Sequence, residues 1–350
     1  MKRYRDRRTN QLGDALAEQM GREVKASDLT DAELFSFAGF DASAAERGGY
    51  SNYSYWMATL RAFFKNRVAV FFLIVMVALL AFTFIQPLLP GQLDPLTIHY
   101  GEDGRVLQNL KPGEQGFIFG TNEIGQDIWS RIWSGTRTSL FIGFTVACVE
   151  AVLGILMGVL WGYVRKLDFL FTEIYNIFDN VPQTLVVIII SYILRPGVST
   201  MIFAMCLTSW LQTARLVRNQ VLIIRDRDYN LASRCLGTPA WRIMVKNLLP
   251  YLVSILTLRM ALAIPAAIGN EVFITYIGLG VPLEVPTLGN LINSGQTFIN
   301  EPTLNYQLFL PVLILSIVTI SFYVVGNSFA DAADPKNQDR KSTRLNSSHL

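Results

Sequence analysis

Residues 68–93 read VAVFFLIVMVALLAFTFIQPLLPGQL, without one charged side chain. About 20 consecutive apolar residues let a helix cross a bilayer, so this stretch alone marks an integral membrane protein. The whole chain agrees. Its 350 residues are 51% hydrophobic and 16% charged, where ordinary soluble domains carry roughly a quarter charged residues, and the mean hydropathy is +0.34. Working outward, further apolar segments lie at about 139–163, 171–194, 198–216, 252–279 and 308–329. With 68–89 they make six expected transmembrane helices in an all-α fold. The segment 171–194 is the weakest, because Glu173, Asp179 and Pro182 interrupt its first half. The first apolar run follows a long polar segment, so it is expected to stay as an anchor rather than act as a cleaved leader.

Lys and Arg in the short connections orient the spans. Arg61, Lys65 and Arg67 precede the first, Arg165 and Lys166 separate the second and third, and Arg215, Arg218, Arg225, Arg227, Arg234, Arg242 and Lys246 crowd the link between the fourth and fifth. The opposite links hold Arg195 and, between residues 281 and 307, no Lys or Arg. Both termini are therefore expected in the cytoplasm. The expected organisation is a cytoplasmic segment 1–66 ending in an amphipathic stretch (Trp56, Leu60, Phe63 and Phe64 among Arg61 and Lys65) that lies on the membrane surface. A first helix and extracytoplasmic loop follow at 67–138. A five-helix core spans 139–330 with a cytoplasmic loop at 217–250, and a short cytoplasmic end covers 331–338. Residues 339–350 contain DRKSTRLNSSH, which resembles the in-frame translation of a sequencing adapter and is set aside from the functional reading.

Several function classes drop out. Three cysteines, Cys148, Cys206 and Cys235, give no disulfide framework. Two histidines, His99 and His349, exclude HExxH and most His-built metal centres. There is no G-x-x-x-x-G-K-[ST], so ATP is not expected on this chain. No catalytic or metal-ligating residue is assigned, no cofactor is expected to bind here, and no nucleic acid is expected as a partner.

Residues 121–134 have helical spacing. Ile124, Ile128 and Ile132 share a face beside Trp129 and Trp133, with Asp127 and Arg131 four apart. That predicts either an interfacial helix leading into the second span or a small packed loop helix. Gly154, Gly158 and Gly162 repeat every fourth residue of the second span, the spacing that lets a neighbouring helix approach closely, within the chain or across a subunit interface. Glu150, Asp179, Arg259 and Glu271 fall in or near apolar runs. An ionised group at mid-bilayer costs roughly 2.5–3.5 kcal/mol on insertion scales, so each should face a cavity or a partner. Glu271 lies too far beyond Arg259 for a direct pair within one helix. Arg259 and Glu271 are candidates for the translocation path or gate, with a structural hydrogen bond between helices as the alternative for Glu271. For Glu150 a structural role is expected.

The link between the fourth and fifth spans carries the most specific signal: RDRDYNLASRCLGTPAWRIMVKNLLPY, residues 225–251. The residues from Tyr229 to Leu236 suit a short helix, Gly237 a left-handed stop, and Thr238 and Pro239 an N-cap and first-turn proline. The next helix should put Trp241, Val245 and Leu248 on one face, and Pro250 should end it before the membrane. This is a stiff docking bracket. It resembles the EAA loop of ABC-importer permeases, at Leu231, Ala232, Ser233, Gly237, Leu249 and Pro250, with Leu231 in place of the leading Glu.

Two further stretches are similar to the oligopeptide/dipeptide (peptide/nickel) branch of that family, specifically its C-type permease subunit. FGTNEIGQDIWSRIWSGTRTSL matches its Gly-Thr-Asp…Gly-Arg-Asp…Ser-Arg…Gly-x-Arg-x-Ser-Leu at Gly120, Thr121, Gly125, Asp127, Ser130, Arg131, Gly135, Arg137, Ser139 and Leu140, with Asn122 and Gln126 as departures. NEVFITYIGLGVPLEVPTLG keeps Glu271, Gly278, Leu279, Gly280, Pro286 and Gly289 of its Glu-x-x-Leu-Ser-Phe-Leu-Gly-Leu-Gly segment. The resemblance, over about 54–337, implies a type I ABC-importer permease in the bacterial cell membrane that moves peptides. Its implied partners are a second permease subunit, two ATP-binding subunits carrying ATP and Mg, and an extracytoplasmic substrate-binding protein. Relatives of this architecture also carry nickel or glutathione. The implied coupling residues are Tyr229, Leu231, Ala232, Ser233, Gly237, Thr238, Pro239, Leu249 and Pro250. A secondary transporter is the less favoured alternative, since no internal repeat is visible, and an intramembrane enzyme fits poorly without G-x-S-x-G or HExxH.

Overall fold

The computed structural model describes residues 55–333. Helices run α1 Tyr55–Phe64, α2 Arg67–Ile85, α3 Ile128–Tyr163, α4 Arg165–Asp179, α5 Gln183–Leu194 and α6 Val198–Ile224. They continue as α7 Asp228–Cys235, α8 Ala240–Ile243, α9 Leu249–Tyr276, α10 Leu288–Gly295 and α11 Tyr306–Ala333. Among the described residues the only β pairing is two isolated bridges, Tyr100 with Val106 and Thr121 with Asp127. The N-terminal segment before residue 55, residues 334–338 of the expected cytoplasmic end and the adapter-like tail lie outside the described residues.

Among the described residues, four helical spans are long and apolar enough to cross a membrane, and a fifth is added if α4 and α5, bent by 78° at their junction, count as one. The sequence suggested six. The difference rests on α6, which has 27 residues but carries Gln212, Arg215, Arg218, Asn219 and Gln220 in its second half. The expected weakness of 171–194 takes physical form as the break at 180–182, where Pro182 starts α5 and supplies no N–H to continue α4.

The outer loop differs from expectation at 121–134. The helix begins only at Ile128, where the Asp127 carboxylate accepts from the Ser130 N–H at 2.9 Å. It then runs without a break to Tyr163, so there is no separate interfacial helix. Ile124 sits in the preceding turn and is exposed. Asp127 is occupied as the cap, and Arg131 turns away from it to Gln126 and to the Pro95 carbonyl. An acid at the N-cap satisfies an orphan helix N–H group.

The bundle centre is α3 against α6. A Cβ on Gly154 would lie 2.6 Å from Thr213 Cγ2, one on Gly158 2.6 Å from the Ala214 carbonyl oxygen, and one on Gly162 2.7 Å from Val221 Cβ. The small-residue stripe thus faces α6 of the same chain. Ile142, Val146, Val187, Met201, Met205 and Ile274 close one end of this core, and Val217, Val221, Ile243, Leu248 and Leu252 the end nearer the bracket. The helix α2 packs mainly on α11 at the periphery, and α1 docks beside them through Phe63, buried with Ala69 and Ala332.

Candidate functional site

The bracket is built from backbone rules. Gly237 has φ +75°, the left-handed value at which a side chain is strained. Around it the Gly237 N–H reaches the Arg234 carbonyl at 2.9 Å and the Thr238 N–H reaches the Ser233 carbonyl at 3.0 Å. Those two bonds are the Schellman pattern that satisfies the last carbonyls of α7. The restart differs from expectation by one residue: Pro239, not Thr238, stands at the N-cap of α8, and no side-chain oxygen caps it.

Pro250 does not end the helix. The chain passes from α8 through a π-helical turn, Met244–Leu248, straight into α9, with Pro250 in the first turn of α9. Proline lacks an N–H and its ring crowds the carbonyl four residues back. Here the Leu249 N–H bonds to the Met244 carbonyl, five residues back, and this wider turn accommodates the ring. The extra residue also separates the expected face. Leu248 is fully buried with Ile243, while Trp241 and Val245 stay exposed. Tyr229, Leu231, Leu236 and Trp241 form the solvent-facing apolar side of the bracket, Leu236 at 85% and Trp241 at 62% exposure. Ala232, Pro239 and Pro250 are also exposed, Ser233, Thr238 and Leu249 half-buried, and the Ser233 hydroxyl donates to the Tyr229 carbonyl.

Polar groups fasten the bracket to the bundle. Asn230, fully buried, donates to the Ile224 carbonyl at 2.8 Å and accepts from Asn247 at 3.0 Å, joining α7 to the end of α6 and to the π turn. Arg225 donates to the Gly162 carbonyl at 2.7 Å, tying the same corner to the end of α3. Asp226 sits among Arg225 at 3.1 Å, Arg234 at 3.3 Å and Arg165 at 3.8 Å. Burial pushes its carboxyl up, but the hydrogen bonds and charges of Arg225 and Arg234 outweigh that and hold it below its ordinary value.

Within the bundle the charges fall into separate groups. Glu150 on α3 meets Arg259 on α9 at 3.1 Å. Thr213 on α6 donates to Glu150 at 2.6 Å and accepts from Arg259 Nε at 3.0 Å. Glu271, 12 residues beyond Arg259 and so about 18 Å along the axis, is fully buried. It accepts from Ser139 Oγ at 2.7 Å and Thr275 Oγ1 at 3.2 Å, and the Leu288 N–H donates to Ser139 at 3.2 Å. The two path candidates are therefore not brought together. Glu271 ties α3, α9 and the start of α10; Arg259 belongs to a three-helix ion pair. The partners Ser139, Thr213 and Asn230 carried little individual signal in the sequence. Ser139 stood inside a matched motif, but Thr213 is a polar residue whose partners lie 46 and 63 positions away, and Asn230 one whose partners are reached only through the bracket's fold.

The motif of the outer loop is structural in the same way. Gly120, at φ +76°, passes so close to the Leu110 carbonyl that a Cβ would sit 2.0 Å from its oxygen. Asn122 and Gln126 pair as amides at 3.1 Å where the resembled pattern has an acid and a base. Gln126 also accepts from Arg131 and donates to the Leu96 carbonyl at 3.0 Å.

Comparison with known proteins fits this geometry. The profile of the family described as "Binding-protein-dependent transport system inner membrane component" matches residues 150–339, more than half the chain and all of the bracket. The chain belongs to this family. The profile "N-terminal TM domain of oligopeptide transport permease C" matches residues 54–112. The oligopeptide transport system permease protein AmiD of Streptococcus pneumoniae is 36% identical over 306 residues, 87% of this chain and 98% of that one. The oligopeptide permease OppC of Bacillus subtilis is 33% identical over 311 residues, 87% and 97% of the two chains, and the dipeptide permease DppC of the same organism 34% over 284 residues, 81% and 86%. Among solved structures, the inward-facing MetNI methionine ABC transporter aligns at a TM-score of 0.46 and 22% identity over 57% of this chain and 94% of that chain, too loosely to build on.

Proposed function

We propose that this membrane permease is one of two permease subunits of an ATP-driven importer carrying oligo- or dipeptides across a bacterial cytoplasmic membrane. The chain itself is non-catalytic in this reading; ATP is hydrolysed on two separate subunits, and a substrate-binding protein delivers peptide from outside. The observation that carries the reading is the bracket: a rigidly fastened turn with an exposed apolar face, in the family's position. Its peptide cargo is supported by relatives named for oligopeptide and dipeptide transport that align over most of their length.

The geometry suggests how force travels. No break separates α8 from α9, so a push on Trp241 reaches the helix that carries Arg259 and Glu271. Asn230 and Arg225 make the ends of α6 and α3 follow. A rigid-body tilt of this kind is a common basis of alternating access. In the same reading the α4–α5 pair and α6 each cross, completing six spans with both termini inside, as the Lys and Arg distribution favours.

The test is a mild-detergent pull-down of tagged protein from native membranes, followed by reconstitution. Recovery of a P-loop ATPase and a second multi-span subunit in comparable amounts, with ATP-dependent uptake of a free peptide, is the expected result. Recovery of the chain alone, under conditions where known complexes survive, sinks the reading.

A further inference from the structure

The junction of α4 and α5 opens a cavity of about 160 Å³, whose polar lining includes Asp179, Gln183, Thr208 and Gln212, over Phe178 and Leu211. Asp179 Oδ1 accepts from the Tyr175 hydroxyl and from Gln212 Nε2, both at 2.7 Å. Its Oδ2 has a looser partner, Arg215 Nη1 at 3.6 Å. Arg215 is itself engaged elsewhere, donating to the Tyr175 hydroxyl at 2.8 Å and lying 4.5 Å over that ring. Thr208 Oγ1, on the cavity wall, is buried without a hydrogen-bond partner.

The cluster faces outward at a depth where that is costly. In the six-span reading above, where α6 crosses the bilayer, Gln212 stands 14 residues after Val198, so about 21 Å along α6 and within a hydrocarbon core of about 30 Å. Yet the Asp179 side chain is 37% exposed and that of Arg215 51%. Ionised groups at this depth face water-filled paths or protein, not lipid. Discontinuous helices near the midplane are also where transporters hold their substrates. The sign is specified too: Asp179 ends α4, where the helix carbonyls add partial negative charge and favour a cation.

We propose that Asp179 is a contact for the α-ammonium group of a peptide in transit, with the unpaired Thr208 hydroxyl and Gln183 beside it for the peptide's own polar groups. This inference rests on the peptide-import reading above. Binding is an exchange of counter-ions. The ammonium takes the place of the loosely held Arg215 beside Oδ2 in a charge-assisted hydrogen bond, and Arg215 stays on Tyr175.

The test uses the complete transporter in proteoliposomes with ATP inside, the binding protein outside and radiolabelled trialanine as the probe. Asp179→Asn keeps acceptors for Tyr175 and Gln212 but removes the charge. It is expected to lower uptake at limiting peptide at least tenfold, with Asp179→Glu within threefold of the unsubstituted transporter. Arg215→Gln removes the resting counter-ion and is expected to match or exceed the unsubstituted rate. Equal losses in Asp179→Asn and Arg215→Gln would make the pair a structural tie and overturn the proposal. So would undiminished uptake in Asp179→Asn. If the unsubstituted complex takes up no free peptide at all, the import reading fails first, and that result is distinct from either of the others.

Discussion

The helices α2 and α6 are both long, and they answer to opposite rules. Between Arg67 and Ile85, α2 carries no charge beyond its first residue and leaves Phe71, Ile74, Val77 and Phe84 exposed. The helix α6 is dotted with Gln212, Arg215 and Arg218, yet it is the helix against which the glycine stripe of α3 is pressed. Arg218 finds Asp168 at 2.6 Å and lies 5.1 Å over Trp161; Arg215 finds Tyr175. Apolarity therefore marks α2, whose apolar face stays exposed, and also α3 at the bundle centre, but passes over α6, whose polar side chains find partners within the protein.

The largest expected effect breaks the contact that distinguishes the two. Gly158→Leu drives a side chain into the Ala214 carbonyl and Val217, and overpacking of this kind costs about 1–3 kcal/mol or more. Most folded protein should be lost, read as the monodisperse fraction in detergent gel filtration. Val77→Leu on the exposed face of α2 should change nothing measurable. If Gly158→Leu folds normally, the α3–α6 contact is not the centre of the bundle.

The next effect concerns the ion pair beneath that contact. Removing one partner of a buried pair leaves the other uncompensated; because Arg259 is partly exposed, Glu150→Ala should cost about 2 kcal/mol. A thermal melt of the purified protein should show the loss, and adding Arg259→Met should restore part of it. An unchanged midpoint in Glu150→Ala would remove the pair from the account of how α3, α6 and α9 hold together.

Gly237→Val probes the loop that α6 feeds. No atom stands within 4 Å of where the new Cβ would lie, so the cost is backbone strain alone, about 1–2 kcal/mol per left-handed residue. Membrane insertion should be normal while ATP hydrolysis in the assembled transporter no longer drives uptake. Normal peptide uptake would sink the coupling role. The smallest effect is expected in the outer loop. Exchanging the amide pair for the acid and base of the resembled pattern, Asn122→Asp with Gln126→Arg, should leave stability within about 1 kcal/mol, while Gln126→Arg alone, set beside Arg131, should cost more. A double-mutant cycle reads the coupling.

The features legible in the sequence were those decided locally. Gly237 follows from the turn chemistry of LASRCLGTP, and the weakness at Pro182 from proline and nearby acids. Features whose outcome depends on register were not legible. Pro250 reads locally as a helix stop, yet a π turn carries the helix past it because Ile243, Leu248 and Leu252 must all reach the same core. Ile124 has the right spacing for the Ile128 face, but the Thr121–Asp127 bridge holds it in a turn.

By itself the sequence determined that the protein lives in a membrane, where its apolar spans lie, and that a glycine-jointed bracket stands between the fourth and fifth apolar segments. These follow from composition and from hydrogen bonds spanning a few residues. Only the tertiary structure decided that Arg259 belongs to Glu150 and Thr213, that Glu271 belongs to Ser139, and that Asp179 meets Gln212 and Arg215 at the edge of a cavity. The reason is distance along the chain. The partners that Arg259 and Glu271 find on other helices lie 46 to 132 positions away, and which of them arrive is fixed by how the helices seat against one another, glycine against valine.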